Sequence, residues 1–149
     1  MSLMGVARFE RFFRAAAGLD VDKDDLKRFG DFVNQKIYDL LIIGQAAAQA
    51  NLRGAIEPFD LPITKGLQES MHKFRRMDEE IELQPILDSL AALPQLDLLI
   101  GFETQHQLPL IAGGISLALA QTFTIIDPNV KNPQTRQWER AFRIFNLLL

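Results

Sequence analysis

Cysteine is absent from the 149 residues. Disulfides, thiolate metal sites and cysteine nucleophiles are therefore excluded, and the absence fits a reducing compartment. Histidine occurs only twice, so imidazole ligands for a metal are scarce. Positive charge is not in excess either: 16 Lys and Arg stand against 19 Asp and Glu, a formal charge of −3. That balance argues against coating nucleic acid by bulk positive charge, though it allows a local basic patch.

Apolar residues make up 48% of the chain and charged residues 23%. This is the composition of a folded globular protein rather than a disordered one. The length suits a single compact domain over residues 1–149. Arg8, Glu10, Arg11 and Arg14 interrupt the apolar start, so no secretory leader is expected and the chain reads as cytoplasmic. Met1-Ser2-Leu3, ahead of a second Met4, reads as an added start and carries no part of the fold reading. Thr104 to Ile126 contains no Asp, Glu, Lys or Arg and is long enough to cross a bilayer. It nevertheless holds Gln105, His106, Gln107, Pro109, Ser116, Gln121, Thr122 and Thr124 and lacks flanking cations and an aromatic belt. It reads as a helix buried on most sides of a soluble core, with no membrane partner.

Apolar periodicity divides the chain into two similar halves. Val6, Phe9, Phe12, Phe13 and Ala16 predict a short helix that Gly18 ends. Asp22 then reads as an N-cap, with Asp24 and Asp25 placed for the helix dipole. Leu26, Phe29, Val33, Ile37, Leu40, Gly44 and Ala47 mark one face of a long helix running to about Asn51. A connection from Gly54 to Pro62 follows, with Ile56 able to pair briefly as strand. Ile63, Leu67, Met71 and Phe74 mark a third, short helix ending near Met77. After a joint at Asp78 to Leu83 the order repeats. Ile86, Leu87, Leu90 and Leu93 form a short helix stopped by Pro94, and Phe102 to Ile126 a long one. Asn132-Pro133 or Thr135 starts a last helix, whose apolar face is Trp138, Ala141, Phe142, Phe145 and Leu148. Pro109 predicts a kink in the second long helix or its true start. Both long helices carry small residues near their midpoints: Gly44, Ala46, Ala47 and Ala48 in one, Ala112, Gly113 and Gly114 in the other. A close crossing of helix backbones would offset the glycines' cost; tolerance in a well-packed core would too.

Arg53 and Asp60 lie seven residues apart after the first long helix, in the pattern Arg-x-x-Ile-x-x-x-Asp-Leu. This resembles the arginine–aspartate clamp of archaeal and eukaryotic histones, which braces the loop between the long helix and the last one. Arg11-Phe12-Phe13-Arg14-Ala15-Ala16-Ala17 resembles the first histone helix, and Val21 falls where histones place an apolar loop residue. As a whole, the chain is similar to a small bacterial family of tandem histone-fold proteins of unassigned function. The similarity is most specific over Gly18 to Arg28, Phe74 to Asp78, Lys131 to Thr135 and Phe145 to Leu149. The resemblance implies an all-α fold of two helix–long helix–helix motifs, residues 4–80 and 83–149, paired within one chain as a pseudodimer. It also implies Arg53 and Asp60 as a structural clamp. The histone DNA contacts are mostly missing: Asp20 replaces a loop arginine and Gly54 a lysine. Arg11 and Arg14 remain as nucleic-acid-binding candidates. In the second half, Asp127 and Gln134 keep the seven-residue spacing without an arginine.

Few residues point to chemistry. His72 lies among Lys73, Arg75 and Arg76, which repel a cation, and neither histidine has a partner at ligand spacing. His106 reads as a helix-end or hydrogen-bonded core residue. Asp78, Glu79, Glu80 and Glu82 read as a solvated acidic face. Gly113-Gly114 lacks the Lys-Ser/Thr of a phosphate loop, and no nucleophile elbow occurs. The sequence thus predicts no catalytic residue, metal or cofactor, and a non-catalytic protein that binds an unknown protein partner. The alternatives are weak, sequence-nonspecific DNA binding through phosphates and a small-ligand binder or enzyme without a recognisable motif.

Overall fold

In the computed structural model, which describes residues 2–149, helix α1 (Val6–Ala17) ends where Gly18 turns left-handed at φ 65°. Only glycine adopts that geometry without strain. Asp22 caps α2 (Lys23–Ala50), accepting from the N–H groups of Asp24 and Asp25, and the Asp25 carboxylate accepts from the Asp22 N–H in return. This reciprocal box satisfies donors that a helix start would otherwise leave unpaired. Strand β1 (Ala55–Ile56) and one 3₁₀ turn (Pro58–Asp60) lead to α3 (Lys65–Arg76), whose first turn is capped by the Thr64 hydroxyl. Next come α4 (Leu83–Ala91), β2 (Leu99–Ile100), α5 (Phe102–Ile126) and α6 (Thr135–Leu148). The protein is mainly helical, with a short–long–short order that occurs twice.

The loops of the two halves meet at both ends of the long helices. The strands β1 and β2 pair in parallel, Ala55 opposite Leu99 and Ile56 opposite Ile100. At the other end the Asp20 N–H donates to the Lys131 carbonyl at 2.6 Å. Each contact joins the loop before one long helix to the loop after the other.

One continuous core lies between them. Phe9, Phe12, Phe13, Phe29, Phe123 and Trp138 are fully buried. Trp138 places its ring centroid 4.8 Å from Phe123 and 5.8 Å from Phe13, which ties α6 to α5 and α1. Leu3 and Met4 are buried too, Leu3 lying against Gly30, so both belong to the core. Helix α5 packs on α1, α2, α3, α4 and α6, and every residue from Ile111 to Leu117 is buried. Burial on all sides over those two turns is what a helix apolar all round requires in a protein core. Pro109 neither starts nor ends α5.

The glycines of the long helices do not face each other. A Cβ on Gly113 would lie 2.2 Å from the Phe74 ring, and one on Gly114 would lie 2.5 Å from Met71 Cγ and 3.0 Å from its backbone nitrogen. Gly113-Gly114 therefore receives α3. A Cβ on Gly44 would lie 2.9 Å from Leu61 Cδ2 and 3.1 Å from Ile56 Cγ2, in the loop that follows its own helix. Close packing accounts for all three, by side chains at Gly44 and Gly113 and by both side chain and backbone of Met71 at Gly114, rather than by a crossing of the two long helices.

Candidate functional site

The loop after α2 is organised around Asp60, which is buried. Arg53 reaches it with both terminal nitrogens: Nη1 donates to Oδ2 at 2.5 Å and Nη2 donates to Oδ1. The Glu57 N–H adds a third bond to Oδ2 at 2.8 Å. A guanidinium matches a carboxylate through two parallel bonds because both groups are planar and equally spaced. Hydrogen bonding to Arg53 holds the Asp60 carboxyl below its usual range, against the opposing effect of burial, and the Glu57 N–H lowers it further. The same pairing raises Arg53. The guanidinium also lies 4.7 Å from the centroid of the Phe59 ring, a cation–π placement.

This loop is fastened to the start of α5. Thr104 Oγ1 donates to the Ile56 carbonyl at 2.7 Å in a buried position, and the Gly101 N–H reaches the same carbonyl at 2.9 Å. A Cβ on Gly101 would approach that oxygen to 2.9 Å and the Glu57 carboxylate to 3.0 Å, so glycine is required by the close approach of β1. Sequence reading missed Gly101 and Thr104, because their partner lies some fifty residues away in the chain.

The three arginines of α1 are occupied. Arg11 Nε donates to Glu79 Oε1 at 2.9 Å and Nη2 donates to Oε2 at 3.2 Å, which raises Arg11 further above its ordinary value. Arg14 Nε lies 3.6 Å from Asp20, and Arg8 donates to the Glu80 carbonyl at 2.9 Å. The acidic joint is thus not a purely solvated run: Glu79 is a nearly buried partner of α1. Complementary charge on α1 and the joint was visible in the sequence, but their proximity was not.

The remaining polar groups are local. His72 Nε2 lies 2.8 Å from Arg76 Nη2 on α3. His106 is exposed in the first turns of α5, its ring 4.3 Å from that of Phe102, and is therefore not a core residue. Among the described residues no group of three His, Asp or Glu converges as a metal site would require. In the second half, Gln137 rather than an arginine reaches Asp127, at 3.5 Å, and the Gln134 side chain turns to the Asn132 carbonyl. An open groove of about 630 Å³ runs along Tyr38, Leu87, Leu90, Leu93, Pro94 and Ile100. Tyr38, Gln95, Asp97 and Gln105 are the polar residues of its otherwise apolar lining.

The chain is similar to two uncharacterized proteins of Aquifex aeolicus (strain VF5). One is 34% identical over 131 residues, 78% of this chain and 75% of the relative. The other is 23% identical over 113 residues, 76% of this chain and 66% of the relative. A crystal structure of a protein from Thermus thermophilus superposes with a TM-score of 0.95 at 55% identity, over 99% of both chains. A crystal structure of an Aquifex aeolicus protein shares the fold, with a TM-score of 0.82 at 20% identity over 96% of this chain and 94% of that one. The family described as a domain of unknown function (DUF1931) matches residues 9–146, and the chain belongs to that family.

Proposed function

We propose that the chain is a histone-type pair folded within one polypeptide and serves as a non-catalytic, cytoplasmic protein-interaction module. The observation that carries the tandem reading is the reciprocal loop pairing, β1 with β2 at one end and Asp20 with Lys131 at the other. The repeated short–long–short order and the Arg53–Asp60 pair, both part of the histone resemblance, support it.

A non-catalytic role is supported by how the buried polar groups are used. Asp25 closes the α2 cap, Asp60 holds Arg53 and the Glu57 N–H, Thr104 holds β1 and Ser116 donates to the Ala112 carbonyl. Groups committed to backbone and ion pairs in this way are not poised as acids, bases or nucleophiles.

Nucleic-acid binding ranks lower because Arg11 and Arg14 would have to leave Glu79 and Asp20 to reach phosphates, and each phosphate contact contributes only by releasing counterions. Fluorescence anisotropy on a DNA duplex across a salt series tests the ranking. The expected affinity at physiological salt is no tighter than the non-specific range of about 10⁻⁴–10⁻⁶ M, fading as salt rises. Submicromolar binding there, lost in Arg11→Gln/Arg14→Gln, would make DNA the ligand.

A further inference from the structure

The β1–β2 end of this molecule and the outer face of α6 carry opposite charge, and each also exposes apolar side chains. Around the β1–β2 ribbon, Leu52, Phe59, Leu99 and Phe102 are exposed at 96, 76, 77 and 73%. Single exposed apolar residues are ordinary; four of them within three residues of one short ribbon form a patch of the kind that marks an interaction site. The charges in the same loops are Glu57, Asp60, Asp97 and Glu103 against Arg53, and Asp60 consumes Arg53. Glu57, Asp97 and Glu103 form no ion pair among the described residues. This end is apolar with an acidic rim.

The other end presents α6. Trp138, Ala141 and Phe145 face the core, while Arg136, Arg140 and Arg143 are exposed and recur at i, i+4 and i+7, one stripe of the helix. Among the described residues no carboxylate pairs with any of them, Glu139 on the same helix included, whereas their neighbours Arg14 and Arg28 have Asp20 and Asp25. Leu147 extends that stripe, exposed at 85%; Leu148, which its spacing from Ala141 and Phe145 placed on the apolar face, is exposed at 75% at the helix end. The outer face of α6 is thus basic and partly apolar, while the exposed Asp20, Asp22 and Asp24 lie in the loop beside its start.

The two surfaces cannot meet within one molecule. Trp138 of α6 packs on Phe123, 21 residues along α5 from Phe102, which at 1.5 Å per residue is about 30 Å. We propose that they meet between molecules, the outer face of α6 in one copy docking onto the β1–β2 end of the next. The occupant is a second copy because this chain supplies both halves of the complementarity: Arg136, Arg140 and Arg143 for Glu57, Asp97 and Glu103, and Leu147 and Leu148 for Phe59, Leu99 and Phe102. Phosphates would answer only the arginines, leaving the leucines exposed. Such a contact is heterologous, so every pair keeps one free surface of each kind and growth continues into chains. Exposed charge at the rim makes it salt-sensitive. This inference rests on the reading of the protein as an interaction module and names the protein itself as the partner.

Sedimentation velocity and light scattering on the full chain, from about 10 µM to 1 mM, test it at low and high salt. The expected result is an average mass that climbs above 16.9 kDa with concentration in about 20 mM salt and returns to it in about 0.5 M salt. The variants Arg140→Glu/Arg143→Glu and Asp97→Lys/Glu103→Lys alter only exposed positions, and circular dichroism verifies their folding. Each alone should raise the self-dissociation constant about tenfold or more, and mixing the two should restore association, since each then offers the charge the other lacks. A constant 16.9 kDa at every concentration in low salt, or a mixture no more associated than its components, overturns the proposal. If the monomeric chain still forms a saturable complex with another purified protein, only self-association fails and the interaction-module reading stands. Submicromolar duplex binding that Arg140→Glu/Arg143→Glu abolishes would assign the stripe to nucleic acid and also overturn it.

Discussion

Replacing Gly113 by alanine sets two effects of known sign against each other. In a helix interior, alanine is favoured over glycine by about 1 kcal/mol, so propensity alone predicts a gain. The added Cβ, however, would lie 2.2 Å from Phe74 Cδ2 and 2.5 Å from Cγ, more than 1 Å inside ordinary contact. Phe74 has little freedom to retreat: it is buried, and its ring packs 5.8 Å from that of Phe12. Overpacking a tight core costs about 1–3 kcal/mol and sometimes more. With a misfit this large the steric cost wins, and the net loss is about 1–2 kcal/mol. Gly66→Ala in α3 is the matched control, because nothing lies within 4 Å of its Cβ position. Only propensity acts there, and it should stabilise by about 0.5–1 kcal/mol. Urea unfolding followed by circular dichroism measures both as shifts in midpoint at unchanged slope. For a chain of this length each kcal/mol corresponds to about 2–4 °C in Tm. If Gly113→Ala is as stable as the parent, α3 is not seated on α5 through that glycine and the packing argument fails.

Two further outcomes concern the loop. Asp60→Ala should destabilise by about 1–3 kcal/mol in urea unfolding, since it strips Arg53 and the Glu57 N–H of their acceptor, with part of the loss recovered as Arg53 turns to water. The pH dependence has a definite sign: the folded carboxyl titrates below the unfolded value of about 3.9, so its contribution is complete above that pH and is lost as pH falls through the folded value. Asp60→Asn should therefore flatten the fall in stability below about pH 4, and an unchanged acid limb would refute the assignment. Asp25 acts oppositely, because burial raises its carboxyl, and it leaves the difference between parent and Asp60→Asn unaffected.

Features written in short stretches of sequence were legible. Gly18 and Asp22 fix the end of α1 and the start of α2 through bonds spanning four residues or fewer. Helix α5 spans Phe102–Ile126 as its uncharged pattern and the Asp127-Pro128 stop imply. The pairing of Arg53 with Asp60 was implied by the resemblance of this loop to the histone clamp, and the two groups do meet across it. What stayed hidden depends on distant partners. Nothing near Gly113 says that Phe74 will fill the gap, and nothing near Arg11 says that Glu79, 68 residues on, will take its charge. His106 was ambiguous for the same reason, since an uncharged helix gives little sign of which turn is left outside the core. Pro109 was ambiguous because one missing N–H is tolerated when the surrounding helix is held by packing on five others.

The central claim is that residues 4–80 and 83–149 are two incomplete halves that complete one another. The direct measurement is to produce the two segments separately and record far-ultraviolet circular dichroism and urea unfolding of each, alone and mixed in equal amounts. Residues 4–80 alone would expose the side of α3 that receives Gly113 and Gly114, and residues 83–149 alone would expose α5 along Ile111 to Leu117. The account predicts that neither segment unfolds cooperatively as a monomer and that mixing restores helix content and a single cooperative transition at equimolar ratio. A segment that folds cooperatively as a monomer, or a mixture no more helical than the sum of its parts, would contradict it.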